Sequence, residues 1–262
     1  MTYQGFLLRL LSSHLLPPFG RHVLRDHVWT IEGGDGVGLK FRLPQNLDYL
    51  AGTSEMPVQQ ALVGQLRPGG VFYDVGANVG FFSLLAAKRL GPTGCVCSFE
   101  PVAENAASVR ENAKINRFDN IRVFELAVGR NSGTAELLLT DWDGGGSLSI
   151  SAVKPSEPVS RRQVRVVALD DLIPAERLPK PNYVKIDVEG VEMEVIQGMS
   201  KTIAESRPVL LYEVDDGRKD SFHRRWKELD DYVAAFGYGI THLKSSYANS
   251  SWNVGHSLAV PK

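Results

Sequence analysis

Val71-Phe72-Tyr73-Asp74-Val75, running directly into Gly76-Ala77-Asn78-Val79-Gly80 and then a helical stretch, restricts this chain more than any other segment. A short run that is apolar on both faces reads as a strand covered on both sides, the situation of a parallel sheet between helical layers. The same rhythm recurs downstream. Residues 79–90 read as a helix stopped by Gly91-Pro92, Val96 to Phe99 as a strand, 103–116 as a helix and Ile121 to Leu126 as a strand. Alternation of this kind specifies an α/β domain. A helix over roughly 55–66, with Met56, Ala61, Leu62 and Leu66 near one face, precedes the first strand and ends at Arg67-Pro68-Gly69-Gly70.

The rhythm then breaks. More than 50 residues separate Ala127 from the next strong strand, Tyr183 to Ile186, which is far more than one crossover helix needs. Within this insertion, Ala135 to Thr140 and Val164 to Ala168 read as an extra strand pair, and Gly144 to Ser149 as a lid. The pattern resumes with a short helix over 190–199, a strand from Pro208 to Val214 and an amphipathic helix over 221–236. That helix carries Phe222, Trp226, Leu229, Val233 and Phe236 at spacings of four and three. Gly239 to Leu243 and Ser257 to Val260 read as closing strands. At the front, a helix over 5–16 ends at Pro17-Pro18, and strands at 28–32 and 37–43 flank Gly33-Gly34-Asp35-Gly36 as a hairpin.

The chemistry concentrates at the strand ends. The glycines of the first turn are four apart, unlike the G-x-G-x-x-G of a dinucleotide fold. Glycine there permits positive φ and close backbone approach, so a ligand can lie over the strand end. Asp74, just before the turn, suits a cationic or donor-rich group and disfavours a diphosphate. The second strand ends in Phe99-Glu100-Pro101, which places a carboxylate where two ribose hydroxyls bind in such folds. A turn suited to an amino-acid moiety beside a carboxylate suited to a ribose matches S-adenosylmethionine, which contains both. A third segment, Tyr183-Val184-Lys185-Ile186-Asp187-Val188-Glu189-Gly190, puts Lys185, Asp187 and Glu189 at the carboxyl end of a central strand. Charges there are costly unless solvated or used.

Together these segments resemble the FkbM-type methyltransferases. The resemblance also takes in Gly52-Thr53-Ser54-Glu55, Leu169-Asp170-Asp171-Leu172 and Arg207-Pro208-Val209-Leu210-Leu211-Tyr212-Glu213, covering about residues 50–215. It departs at Ser54, where members often carry an aromatic residue. It implies the class I, Rossmann-like fold: a mostly parallel seven-stranded sheet with helices on both faces, the extra strand pair being inserted before the fourth strand. It implies an N-terminal extension over 1–50 and a catalytic domain over 51–262. By this resemblance Gly76, Asn78 and Gly80 line the methionine end of the cofactor, Glu100 holds the ribose, Ala127 meets the adenine and Glu55 reaches the cofactor from the preceding helix. The implied reaction is O-methylation of a small hydroxylated acceptor, a metabolite, sugar or natural product.

For that reaction Asp187 is the candidate proton acceptor, with Glu189 and Lys185 beside it. A divalent metal held by Asp187 and a neighbouring acid is the alternative, and the spacing carries no metal signature that decides. His242 and His256 are further candidate bases. Other classes stay in view: a nicotinamide dehydrogenase, which lacks its glycine fingerprint and a Tyr-x-x-x-Lys pair here; a nucleic-acid methyltransferase; and a non-catalytic cofactor-binding protein. A formal net charge of −1 argues against bulk electrostatic binding of nucleic acid. Cys95 and Cys97, two apart in a strand, read as small buried thiols of a reducing, cytoplasmic compartment. No run of 18 apolar residues marks a membrane span.

Overall fold

The computed structural model describes residues 27–42, 48–139, 146–148, 160–247 and 252–262. The helix expected over 5–16 lies outside these residues, as does the Gly144–Ser149 lid apart from the backbone of a short strand, Gly146–Leu148. In chain order the strands are β1 (Val28–Thr30), β2 (Lys40–Arg42), β3 (Val71–Val75), β4 (Cys95–Phe99), β5 (Ile121–Phe124), β6 (Ala127–Val128), β7 (Gly133–Leu139), β8 (Gly146–Leu148), β9 (Ser160–Val167), β10 (Tyr183–Ile186), β11 (Val209–Asp216), β12 (Tyr238–His242) and β13 (Asn253–Pro261). The helices are α1 (Asp48–Ala51), α2 (Met56–Gln65), α3 (Phe81–Leu90), α4 (Ala103–Ile115), α5 (Leu169–Ala175), α6 (Glu192–Gln197), α7 (Ser200–Ser206) and α8 (Lys219–Ala234).

Seven strands form one sheet in the order β12-β13-β11-β10-β3-β4-β5. The central pairs are parallel, and β13 runs antiparallel to both neighbours. This is the expected α/β, class I Rossmann-like architecture. The chain winds outward from β3 through β4 to β5, then returns to the other side of β3 as β10 and β11. That reversal opens a crevice beyond the carboxyl ends of β3 and β10, where such sheets bind ligands.

Side-chain alternation sorts the core. Tyr73, Val75, Cys97, Ile186 and Tyr212 face one apolar layer, while Phe72, Val96 and Leu211 face the other. Both faces are buried, which is why the central strands read as continuous apolar runs. The β1–β2 hairpin contributes Trp29 and Phe41 to the second layer, against Phe81 and Leu84 of α3. Cys97 is buried and Cys95 partly so, and both thiols are free.

The insertion differs from a simple strand pair. β7 and β9 do pair antiparallel, but with β6 and β8 they build a separate sheet, ordered β6-β9-β7-β8. The strand expected to run from Ile121 to Leu126 stops at Phe124, and Ala127 opens β6 in the second sheet. The helix expected over 190–199 is the shorter α6, and a further helix that was not expected, α7, follows it after Gly198-Met199. Gly198 leaves no room for a side chain, since a Cβ there would meet the Gly129 carbonyl oxygen at 2.0 Å. Among the described residues, no helix is long and apolar enough to cross a membrane.

Candidate active site

The turn after β3 is built by its neighbours as much as by its own sequence. Gly76 and Ala77 both donate backbone N–H groups to the Phe99 carbonyl, at 3.0 and 3.1 Å. Gly76 has φ 81°, and a Cβ there would lie 1.7 Å from the backbone oxygen of Asp187. The glycine therefore lets the end of β10 press against the end of β3, so the two sequence motifs are in backbone contact.

Glu100 completes this framework. Its Oε2 accepts the Asn78 N–H at 2.8 Å, and its Oε1 accepts the Val102 N–H at 2.9 Å. One carboxylate thus ties the first turn to the tip of β4. Burial raises the Glu100 carboxyl to about 7, against the opposing pull of those two N–H groups and Asn105. Gly76, Asn78, Glu100 and Ala127 all line one open crevice of about 690 Å³, together with Leu137 of the second sheet and Asp187, Val188 and Glu189 after β10. A glycine turn, a buried carboxylate and apolar walls from Phe99 and Val102 fit the amino-acid, ribose and adenine parts of S-adenosylmethionine.

The other half of the site is charged. Lys185 is buried, with Nζ 2.7 Å from Asp187 Oδ2 and 4.7 Å from the centre of the Phe82 ring. Burial opposes its charge, but Asp187, Asp74 and Glu55 raise the ammonium on balance, so it stays protonated. Asp187 is one-quarter exposed and faces the crevice, while Glu189, at φ 53°, is exposed at its edge. Glu192 is structural: its two oxygens accept the Gly190 N–H at 2.7 Å and pair with Arg225 at 3.0 Å.

Three expected cofactor contacts lie elsewhere. Asp74 shares a face of β3 with Phe72, because side chains alternate, and it is buried under α3 away from the crevice. Its Oδ2 accepts the Ser83 hydroxyl at 2.6 Å, and it stands in register between Ser98 and Lys185. Burial raises it to about 6, opposed by Lys185 and Ser83. Gly80, at φ 92°, starts α3 close to α4, where a Cβ would touch Val109 at 3.0 Å. Glu55 precedes α2 and points to β11 and β13 rather than to the ribose half.

There it meets His256, one of the candidate bases, together with Glu213 and Tyr247, to which sequence reasoning gave no role. Glu213 on β11 sits opposite His256 on β13, with Oε2 2.6 Å from Nε2, and Glu55 Oε2 is 3.9 Å from the same nitrogen. Tyr247 donates its hydroxyl to Glu55 Oε1 at 2.7 Å. Burial raises Glu213 well above its ordinary range, with Asp187 and Glu55 adding to it, and burial pulls His256 down to about 4. A glutamate two residues from Leu211, on the same face of an otherwise apolar strand, was the available signal. His242 lies outside the site, bonded to Asp230 at 2.6 Å and packed on Trp226.

Comparison with known proteins agrees with this geometry. Residues 74–240 match the family model described as the methyltransferase FkbM domain. The chain is 25% identical over 149 residues to hexuronic acid methyltransferase AglP of Haloferax volcanii, covering 57% of this chain and 58% of that protein. It is 29% identical over 188 residues to 2-O-methyltransferase NoeI of Sinorhizobium fredii, covering 65% of this chain and 76% of that protein. It also resembles a solved FkbM methyltransferase from Methylobacillus flagellatus in fold, with a TM-score of 0.50 at 16% identity, over 77% of this chain and 58% of that one. The match takes in the first turn, the Glu100 tip and the Asp187 strand end together, so the chain belongs to the FkbM methyltransferase family, S-adenosylmethionine-dependent enzymes of the class I fold.

Proposed function

We propose that this chain transfers a methyl group from S-adenosylmethionine to a hydroxyl of a small acceptor, a sugar, natural product or other hydroxylated metabolite. The observation that carries the reading is the shared crevice: Glu100, hydrogen-bonded to the first turn, and the Asp187–Lys185 pair line or flank one space. The relatives named for methylation of a hexuronic acid and of a 2-hydroxyl support the acceptor class.

Each residue then has a physical task. Gly76 and Asn78 face the methionine end, Glu100 accepts hydrogen bonds from the ribose hydroxyls, and Ala127 walls the adenine. When bound along Gly76, Asn78, Glu100 and Ala127, the cofactor would supply an activated sulfonium methyl group for transfer to the acceptor oxygen. The protein supplies placement, part of the roughly 7–11 kcal/mol available from orienting two reactants. Asp187 accepts the hydroxyl proton as the new bond forms. Lys185 holds Asp187 at 2.7 Å and keeps it aimed at the crevice. Glu189 lies at the acceptor edge of the same crevice. Asp74 and Gly80 act from outside it, on Lys185 and on the start of α3.

The acceptor is a small molecule rather than nucleic acid in this reading, because the central strand ends in Asp187-Val188-Glu189-Gly190 without an Asn/Asp-Pro-Pro-aromatic segment. Residues 1–50 are read as an extension of a catalytic domain spanning 51–262, and the free thiols favour a cytoplasmic setting. Isothermal titration tests the core of this reading. S-adenosylhomocysteine gives binding heat and NAD gives none; the reverse pattern overturns it. Turnover of labelled S-adenosylmethionine against a panel of hydroxylated sugars and metabolites then tests the acceptor class.

A further inference from the structure

We infer that Glu55, Glu213 and His256 form a binding site for one divalent transition-metal cation beside Asp187. The three side chains come from distant parts of the chain, yet each offers a donor atom and all these atoms lie within 4.8 Å of one another. Two donors each about 2.1 Å from one ion can be at most about 4.2 Å apart. From His256 Nε2 the two carboxylate oxygens are 2.6 and 3.9 Å away, on either side of the roughly 3.4 Å spacing of tetrahedral donors, so side-chain shifts of about 0.5–1 Å give coordination geometry.

Hydrogen bonding sets this cluster apart from an ordinary acidic patch. The His256 side chain is 2% exposed, and neither ring nitrogen has a hydrogen-bond partner, despite the close approach of Glu213. Glu55 Oε2 is also buried without one. Buried polar atoms are nearly always satisfied, and each exception calls for a cause. A proton shared between Glu213 and His256 satisfies one pair and leaves Glu55 Oε2 and the second ring nitrogen as they are. A cation at Nε2 satisfies both carboxylates and that nitrogen at once, Nδ1 being unpartnered in either case, so Glu55 Oε2 is the atom that tells the two apart.

The surroundings fit. Tyr247 holds Glu55 Oε1 at 2.7 Å and so aims Oε2 at the cluster, the arrangement by which outer groups orient metal ligands. Two carboxylates bring two negative charges, and a divalent ion neutralises them inside the protein. One imidazole with two carboxylates suits Mn²⁺ or Zn²⁺ better than Ca²⁺ or Mg²⁺, which prefer all-oxygen sets. Three protein ligands leave coordination positions open. Asp187 acts on both Glu55 and Glu213 and itself lines the crevice, which none of the three ligands does, so the open positions neighbour the candidate proton acceptor. On the O-methyl-transfer reading they take hydroxyl oxygens of the acceptor and place one of them against the methyl group; this part of the inference rests on that reading, while cation binding does not.

The test uses the full chain, stripped with a chelator and titrated with Mn²⁺ alone, followed by loss of the free-ion electron paramagnetic resonance signal. The expected result is one saturable site per chain. Glu55→Gln, Glu213→Gln and His256→Gln each weaken it by about tenfold or more, and Tyr247→Phe, at an exposed position, weakens it by roughly tenfold. Thermal melting shows which variants stay folded, and Tyr247→Phe keeps the test open if the buried ones do not. No saturable binding in the wild type, or equal affinity in all folded variants, overturns the site. S-adenosylhomocysteine titration of the same sample separates the two ideas: S-adenosylhomocysteine binding heat without Mn²⁺ binding removes only the cation, and Mn²⁺ binding without that heat removes only the methyl-transfer reading.

Discussion

Glu100 sets a pH dependence on cofactor binding that can be worked out in advance. In the free protein its carboxyl titrates at about 7, because burial at 5% exposure outweighs the two backbone N–H groups that favour the charge. Ribose hydroxyls donate to a carboxylate, so binding favours the ionised form and must expel a proton wherever the free carboxyl holds one. With a value near 7, roughly one-tenth of the molecules are ionised at pH 6 and nine-tenths at pH 8, so affinity rises about tenfold across that interval. Stability moves the other way. A carboxyl raised above its unfolded value stabilises the fold while protonated, so the free protein loses that contribution as pH climbs from about 4.5 toward 7. Glu100→Ala removes two charge-assisted hydrogen bonds to the ribose, together about 3 kcal/mol or more, which is about a hundredfold in affinity. Glu100→Gln keeps the volume but cannot ionise, so it flattens the profile. S-adenosylhomocysteine titrated calorimetrically at pH 6, 7 and 8, with circular dichroism as the check on folding, reads all three effects. A wild-type affinity that is flat from pH 6 to 8, or unchanged affinity in folded Glu100→Ala, refutes the assignment.

Three other perturbations follow from the packing. Asp187→Asn keeps cofactor binding and lowers turnover by about 10²–10⁴, the range of a general base; full activity in a radiolabel-transfer assay places the proton acceptor elsewhere. Gly76→Ala sets a Cβ against the Asp187 carbonyl at 1.7 Å in a left-handed backbone, and the expected loss exceeds about 3 kcal/mol by chemical denaturation; a loss under 1 kcal/mol contradicts that contact. Arg225→Met removes the partner of the buried Glu192 carboxylate; because burial already holds Glu192 up at about 7, the stability deficit grows as pH rises above 7 and shrinks below it, and a pH-independent deficit contradicts the pairing.

Much of the fold was legible because its signals are local. Strand β3, its glycine turn and helix α3 follow one another within twenty residues, and burial on both faces leaves an apolar run that needs no partner to be recognised. Glu100 and Asp187 were readable for the same reason: each is the polar residue at the tip of an apolar strand. The insertion was harder. Ala127 and the Gly133–Leu139 and Ser160–Val167 strands have ordinary strand patterns, and nothing local says that they leave the main sheet for one of their own.

Asp74 shows the boundary most clearly. Its place before the turn is a matter of sequence, but alternation along β3 aims it under α3, and only the register with Ser98 and Lys185 gives it a buried electrostatic task. The Glu55, Glu213 and His256 group goes further, since the antiparallel pairing of β13 on β11 is what sets His256 opposite Glu213. The chain alone determined the alternating strands and helices, the glycine bend and the acidic strand tips, because periodicity and turn chemistry act over a few neighbouring residues. Tertiary structure decided which side chains converge, because strand order and register join residues that no local pattern connects.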